Sequence, residues 1–168
     1  MRNAVRTLTE RGYRRIGLCI EAHKDERADH KWSSGFISYF RLNHEPMAVE
    51  PLIATRIDQR AFGRWFERQR PDIVISHDES VMGWIEAKGL AVPGDVGFFR
   101  INVLGSTRPT AGLDLLPGQL GATAVEAVVG SLHRREYGVP AFPKSVSIQV
   151  SFTDGPTLAL SRGVPSAT

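Results

Sequence analysis

The sequence predicts an α/β fold, a mostly parallel sheet flanked by helices. Two observations carry this expectation. Short apolar runs alternate with amphipathic stretches along nearly the whole chain, separated by connections of a few residues. The central runs, DIVIS at 72–76 and VGFFRI at 96–101, are almost continuously apolar, as strands covered on both faces are.

Each element has its own signal. Val5 and Leu8, with Ala4, recur at helical spacing over residues 3–11, and Gly12 supplies the stop. Residues 16–20 form a short apolar strand. Residues 21–29, with only Ala22 and Ala28 apolar, read as a charged loop at that strand's carboxyl end. Over 30–43, Trp32, Phe36, Tyr39 and Phe40 repeat at three- and four-residue intervals and predict a helix with an aromatic face. A weak strand at 51–54 follows, and Asp58 can cap a helix carrying Phe62, Trp65 and Phe66 that ends before Pro71.

After the strand at 72–76, a helix over 79–90 turns Val81, Met82, Ile85 and Leu90 inward, with Gly89 near its end. Residues 92–95 form a turn, the strand at 96–101 follows, and 104–109 is a Gly/Ser/Pro-containing connection. A helix over 117–135 carries Leu120, Ala124, Val128 and Leu132 at steps of four, with Pro117 at its start and Gly138 beyond its end. Residues 144–152 alternate Val146, Ile148, Val150 and Phe152, a last strand with one solvated face. The residues past Leu158 read as a frayed tail.

Composition narrows the function classes. With 168 residues the chain can bury a core without staples, and 42% hydrophobic against 23% charged residues sets aside disorder. The net charge of +3 comes from basic residues scattered singly or in pairs, so no stripe for phosphates is visible. The single cysteine, Cys19, excludes a disulfide framework and a thiolate metal cluster and fits a reducing cytoplasm. No apolar window reaches a secretion signal or a membrane span, and no motif calls for a cofactor.

In a parallel sheet, ligands bind beyond the carboxyl ends of the strands. Four loops are therefore the search space: 21–29, 55–58, 76–79 and 102–108.

The residues also match a known pattern over roughly residues 3–158. AVRTLTERGYRRIGLCI resembles the helix-plus-strand entry into the C-terminal subdomain of the lactose-repressor (LacI/GalR) family of transcription regulators. RPDIVISHDESVMGWIEAKGLAVPGDVGFF resembles its most recognisable stretch, LGATAVEAVVGSL its later helix, and DGPTL the segment after its closing strand. The resemblance implies a periplasmic-binding-protein-like fold that clamps a small effector, often a sugar, between two subdomains. It also implies a separate helix-turn-helix headpiece that reads an operator, and a homodimer.

On this reading, residues 3–108 and 139–158 form the effector-binding subdomain. Residues 109–138 form a strand-helix excursion that belongs to the other subdomain in the family, and 159–168 a flexible tail. The headpiece and most of the first subdomain are absent from this sequence, so DNA would be met only through a headpiece outside it, and no membrane is involved. The helix at 117–135 is expected to pack on a partner copy or on the exposed half-cleft.

The candidate ligand-binding residues follow from the resemblance, and each has a plainer reading. Asp78 stands at the family's ligand-contacting Asp, where a carboxylate accepts from sugar hydroxyls; it can equally cap the helix at 79–90. His77 stands where the family carries Asn, either to replace the amide or merely to cover the strand end. Trp32 stands where the family commonly has a ligand-gripping Arg and would exchange that grip for stacking, or else belongs to the aromatic core stripe.

Asn102 replaces a ligand-facing Asp and can donate as well as accept. Arg100 occupies a family glycine, where it could pair with Asp78 or with an anionic effector, or simply lie on the surface. Arg56, Gln59, Lys24 and Arg27 lie on loops of the same edge, where polar residues also serve solubility.

Other classes are weaker. A periplasmic-type binding protein with no DNA role would need export, and no signal is seen. A receiver domain would need an acidic pair after the first strand, where only Glu21 stands. An enzyme would use His77 and Asp78 as an acid/base pair, but adjacent residues on one loop seldom reach base-orienter geometry, and no catalytic loop motif supports it.

Overall fold

The computed structural model describes residues 1–159. Helix α1 (Arg2–Glu10) leads into β1 (Ile16–Glu21), and α2 (Ala22–Glu26) and α3 (Lys31–Leu42) connect it to β2 (Leu52–Ala54). Then come α4 (Gln59–Gln69), β3 (Ile73–Ser76), α5 (Ser80–Glu86) and β4 (Gly97–Arg100). β5 (Ala111–Asp114), α6 (Pro117–His133) and β6 (Ser151–Thr153) complete the order. The six strands form one sheet, β2-β1-β3-β4-β5-β6, in which the first five are parallel and β6 is antiparallel.

Strand alternation divides the core in two. Ile16, Leu18, Ile20, Ile73, Ile75, Phe99 and Ile101 face α1 and α3, where Val5, Leu8, Phe36 and Phe40 cover them. Cys19, Val74 and Phe98 face the other way, onto Phe62, Trp65 and Phe66 of α4 and Val81, Met82 and Ile85 of α5. Because both faces are covered, the runs at 72–76 and 96–101 have no solvated side, and their continuous apolar character follows.

Side chains fix the ends of these elements. Asp58 caps α4 by accepting from Ala61 N at 2.7 Å. Asp72 accepts from Arg14 N and Arg15 N at 2.8 and 3.1 Å, joining the amino ends of β1 and β3. Tyr13 is fully buried, and its hydroxyl accepts from Ala159 N at 3.0 Å. Gly97 makes room for it: a Cβ there would lie 2.8 Å from the Tyr13 oxygen.

Three expectations are corrected. The charged stretch 21–29 contains the short helix α2, because Asp25 turns inward and accepts from Ser33 N at 3.1 Å and Ser33 Oγ at 2.5 Å. The helix at 79–90 closes at Glu86, where Lys88 N and Gly89 N bond three residues back and Gly89 takes φ +77°.

The strand at 144–152 shrinks to Ser151–Thr153, since β5 offers partners only for these three residues, and Val146 is 63% exposed. Ala111–Asp114, the strand of the 109–138 segment, pairs in parallel with β4. The helix of that segment, α6, has no buried residue, and Leu120, Val125, Val128 and Leu132 are each more than half exposed. Of the expected tail at 159–168, residues 160–168 lie outside the described residues.

Phe99 is fully buried between sheet and helices, so Phe99→Ala is expected to lower the unfolding free energy by about 3–5 kcal/mol in urea titrations. Val128→Ala, on the exposed helix α6, is expected to change it by less than about 0.5 kcal/mol.

Candidate functional site

Strand order locates the site. From β1 the chain steps outward to β2, then crosses back over β1 to β3. The carboxyl ends of β1 and β3 therefore part at a topological switch point, where a parallel sheet opens a crevice. A crevice lies there. β1 contributes Cys19, Ile20 and Glu21, the β3 end contributes Ser76, His77 and Asp78, and Lys24, Ile57, Val81 and Trp84 close its sides. It encloses about 10 Å³, room for a single water and far below the several hundred needed for a metabolite.

Its polar groups are arranged in opposed pairs. Lys24 Nζ meets Glu21 Oε2 at 3.1 Å, and Glu21 Oε1 accepts from Ile57 N at 3.3 Å, fastening the 55–58 loop to the end of β1. The Lys24 pair holds the Glu21 carboxyl below its ordinary range, overcoming burial, which would raise it. Asp78 Oδ1 accepts from Ser80 N at 3.0 Å and Ser80 Oγ at 2.7 Å at the first turn of α5. Partial burial pushes the Asp78 carboxyl up, but the Ser80 bonds and the positive Lys24 and Arg100 prevail and hold it low. Asp78 is thus ionised near neutral pH, and its second oxygen takes no part in these bonds.

Half-buried His77 is pushed the other way. Burial, then the charges of Lys24 and Arg100, lower the imidazole from 6.5, so it stands neutral with one ring nitrogen donating and one accepting. Burial, together with the charges of Asp78 and Glu21, pushes the Cys19 thiol up to about 12, so it lines the crevice as an inert thiol. Trp84 packs on Phe62 with ring centroids 5.6 Å apart and presents an aromatic surface to the crevice. Ionised acceptor, neutral imidazole, ammonium and indole together suit a small polyhydroxylated molecule, whose hydroxyls donate and accept while its carbon face stays apolar.

The structure brings together His77, Asp78 and Lys24 of the residues singled out in the sequence. Trp32 packs half-buried against the α1/α3 core, and the crevice indole is Trp84 instead. Asn102 lies at the end of β4, where its Oδ1 accepts from Leu104 N at 3.0 Å in a local turn outside the crevice lining. Arg56 and Gln59 are exposed on either side of the stretch that carries Ile57 inward, and Arg27 is exposed beyond α2.

Arg100 corrects the expectation of a surface side chain. It is 7% exposed, and its partner is Glu79 at 2.9 Å rather than Asp78. Sequence reasoning missed Glu21, Cys19 and Trp84 as lining residues; the Glu21/Lys24 spacing of three is a local signal for Glu21, and Cys19 and Trp84 have none. Among the described residues no group of three metal-ligating side chains converges, and no helix is long and apolar enough to cross a membrane.

A crevice at the switch point of a doubly covered parallel sheet, open on one side, defines a ligand-binding α/β domain. The chain belongs to the periplasmic binding protein-like domain family, whose model matches residues 5–155. No curated protein matches the sequence.

Among solved structures, a LacI family transcriptional regulator from Silicibacter pomeroyi is similar at 14% identity and TM-score 0.73, over 95% of this chain and 61% of that one. A PurR family transcriptional regulator from Vibrio parahaemolyticus is similar at 14% identity and TM-score 0.72, with the same two coverages. A LacI family regulator from Enterococcus faecium with bound ribose is similar at 15% identity and TM-score 0.67, over 94% of this chain and 61% of that one. The chain thus spans about three fifths of the length of these relatives.

The depressed His77 value gives a pH signature. As pH falls from 6.5 through the folded-state value, the unfolded chain takes up the proton first, so stability is lost over that window. Urea unfolding at stepped pH is expected to show this slope, and His77→Asn to flatten it.

Proposed function

We propose that this chain is the effector-sensing part of a LacI-type, DNA-binding transcription regulator, and that its effector is a sugar or similar polyol. The observation that carries the proposal is Asp78: ionised, held by its Ser80 cap at the switch point, with one oxygen outside the cap. The family membership and the ribose in the Enterococcus faecium relative support it.

In this reading the effector sits over the crevice, its hydroxyls toward Asp78, His77 and Lys24 and its apolar face toward Trp84. Asn102, Arg56 and Gln59, on neighbouring strand ends and loops, meet a ligand that extends along the sheet edge, and Trp32 and Arg100 act from behind it. A second subdomain supplies the other wall. Effector binding favours the closed arrangement, and the difference in affinity between the two states shifts the headpieces of a homodimer on their operator. The protein works in the cytoplasm, binds rather than transforms its ligand, and meets DNA through a headpiece outside this chain.

Calorimetry of this chain with D-ribose and a panel of pentoses and hexoses is expected to show weak binding to one of them. Asp78→Ala is expected to weaken it at least tenfold, about 1.4 kcal/mol or more. Full-affinity binding by that variant, or turnover of any sugar that His77→Ala abolishes, would overturn the reading. Selection against random duplex DNA is expected to recover no site for this chain; tight sequence-specific binding would refute the division of labour.

A further inference from the structure

The connection from β4 to β5 spans residues 101–110 without a helix of its own. Parallel neighbours usually need a dozen or more residues and a helix to return. This short segment depends on one carboxylate instead. Glu79 Oε1 accepts from Thr107 Oγ1 at 2.8 Å and from Arg108 N at 3.1 Å. Its Oε2 accepts from Thr107 N at 3.0 Å and from Arg100 Nη1 at 2.9 Å. Arg100 Nη1 also donates to Ser106 Oγ at 2.9 Å, and Nη2 to the His77 carbonyl at 3.3 Å.

Two further features show that this arrangement is built in. Arg100 Nε is buried with no hydrogen-bond partner among the described residues, so the guanidinium is oriented for its Nη contacts at the expense of its third donor. Gly112, the strand partner of Arg100, leaves the space: a Cβ there would lie 2.5 Å from the Arg100 carbonyl and 3.0 Å from the Arg100 Cβ.

We propose that Glu79 and Arg100 are positioning residues for the crevice, coupling Asp78 to the 106–108 segment. Arg100 fixes the His77 carbonyl and with it the peptide plane leading to Asp78, which sets the direction in which that carboxylate leaves the strand. Glu79 fastens the same guanidinium to residues 107 and 108. A displacement of Asp78 by ligand is therefore transmitted to 106–108 through one ion pair. The inference rests on the reading of the crevice as a ligand site, but its structural half is testable alone.

The test is amide hydrogen exchange on the whole chain. Arg100→Met takes from Glu79 its one cationic partner and leaves it the three donors of residues 107 and 108, so it is expected to lower Tm and to speed exchange at Asp78, Ser80, Thr107 and Arg108 at least tenfold. The double variant Glu79→Gln/Arg100→Met leaves no unpaired charge and is expected to regain Tm to within about 2 °C of the parent while exchange stays fast. Arg100→Lys, the milder change, keeps one donor for Glu79 and is expected to speed exchange at Asp78 and Ser80 while sparing Thr107 and Arg108.

Protection that returns together with Tm in the double variant would reduce the pair to a stabilising contact and sink the proposal. Unchanged exchange at Asp78 in both Arg100 variants would do the same. D-ribose and the sugar panel separate the two readings. Fast exchange in the variants of a parent chain that binds none of the sugars keeps the coupling and removes the sugar. Sugar binding of unchanged affinity in the double variant removes the coupling and keeps the sugar.

Discussion

Burial of both faces of β1, β3 and β4 is the constraint on which the rest of this structure depends. A parallel sheet covered by α1 and α3 on one side and by α4 and α5 on the other has no wet face on which to place polar chemistry. Polar side chains are driven to the strand ends, and there the switch between β1 and β3 parts the loops and leaves a crevice. The place of the site is thus decided by the order in which the chain lays down its strands. The identities of His77, Asp78 and Lys24 decide only what that place can bind.

The same constraint explains what the sequence could and could not tell. Period and composition located β1, β3, β4, α3 and α4 nearly to the residue, because a strand buried on both faces and an amphipathic helix each leave a local mark. They failed where the deciding contact was distant. Asp25 turns a charged stretch into helix α2 through Ser33, and β6 is short because its partner is short.

The site divides along the same line. The place of Asp78 at the end of β3 was legible from the motif, and its bonds to Ser80 occupy one carboxylate oxygen only. Trp84 was not singled out, because it lies beside the inward stripe of its helix and only the three-dimensional path shows that it, and not Trp32, reaches the strand edge. The partner of Arg100 was hidden as well: Glu79 is 21 residues away, and only parallel pairing of β3 with β4 brings the two together.

The crevice is small for a binding site. The chain spans about three fifths of its structural relatives, and its crevice encloses space for little more than a water. In helix α6 the apolar positions recur with helical spacing, yet none is buried among the described residues. The local code for a core helix is present without the burial that usually accompanies it. Local sequence pattern and tertiary burial are separable properties, and α6 shows one without the other.

The bond from Ala159 N to the Tyr13 hydroxyl carries a mechanical consequence. Residues 146 positions apart are clasped at the amino-terminal edge of the sheet, opposite the crevice, and Arg11 grips Asp154 at 2.5 Å beside them. Polypeptide entering and leaving the sheet is therefore gathered at a single root. The two ends of the strand path are thus pinned to each other on the side away from His77 and Asp78, and strain applied at either end is shared between them before it reaches the crevice.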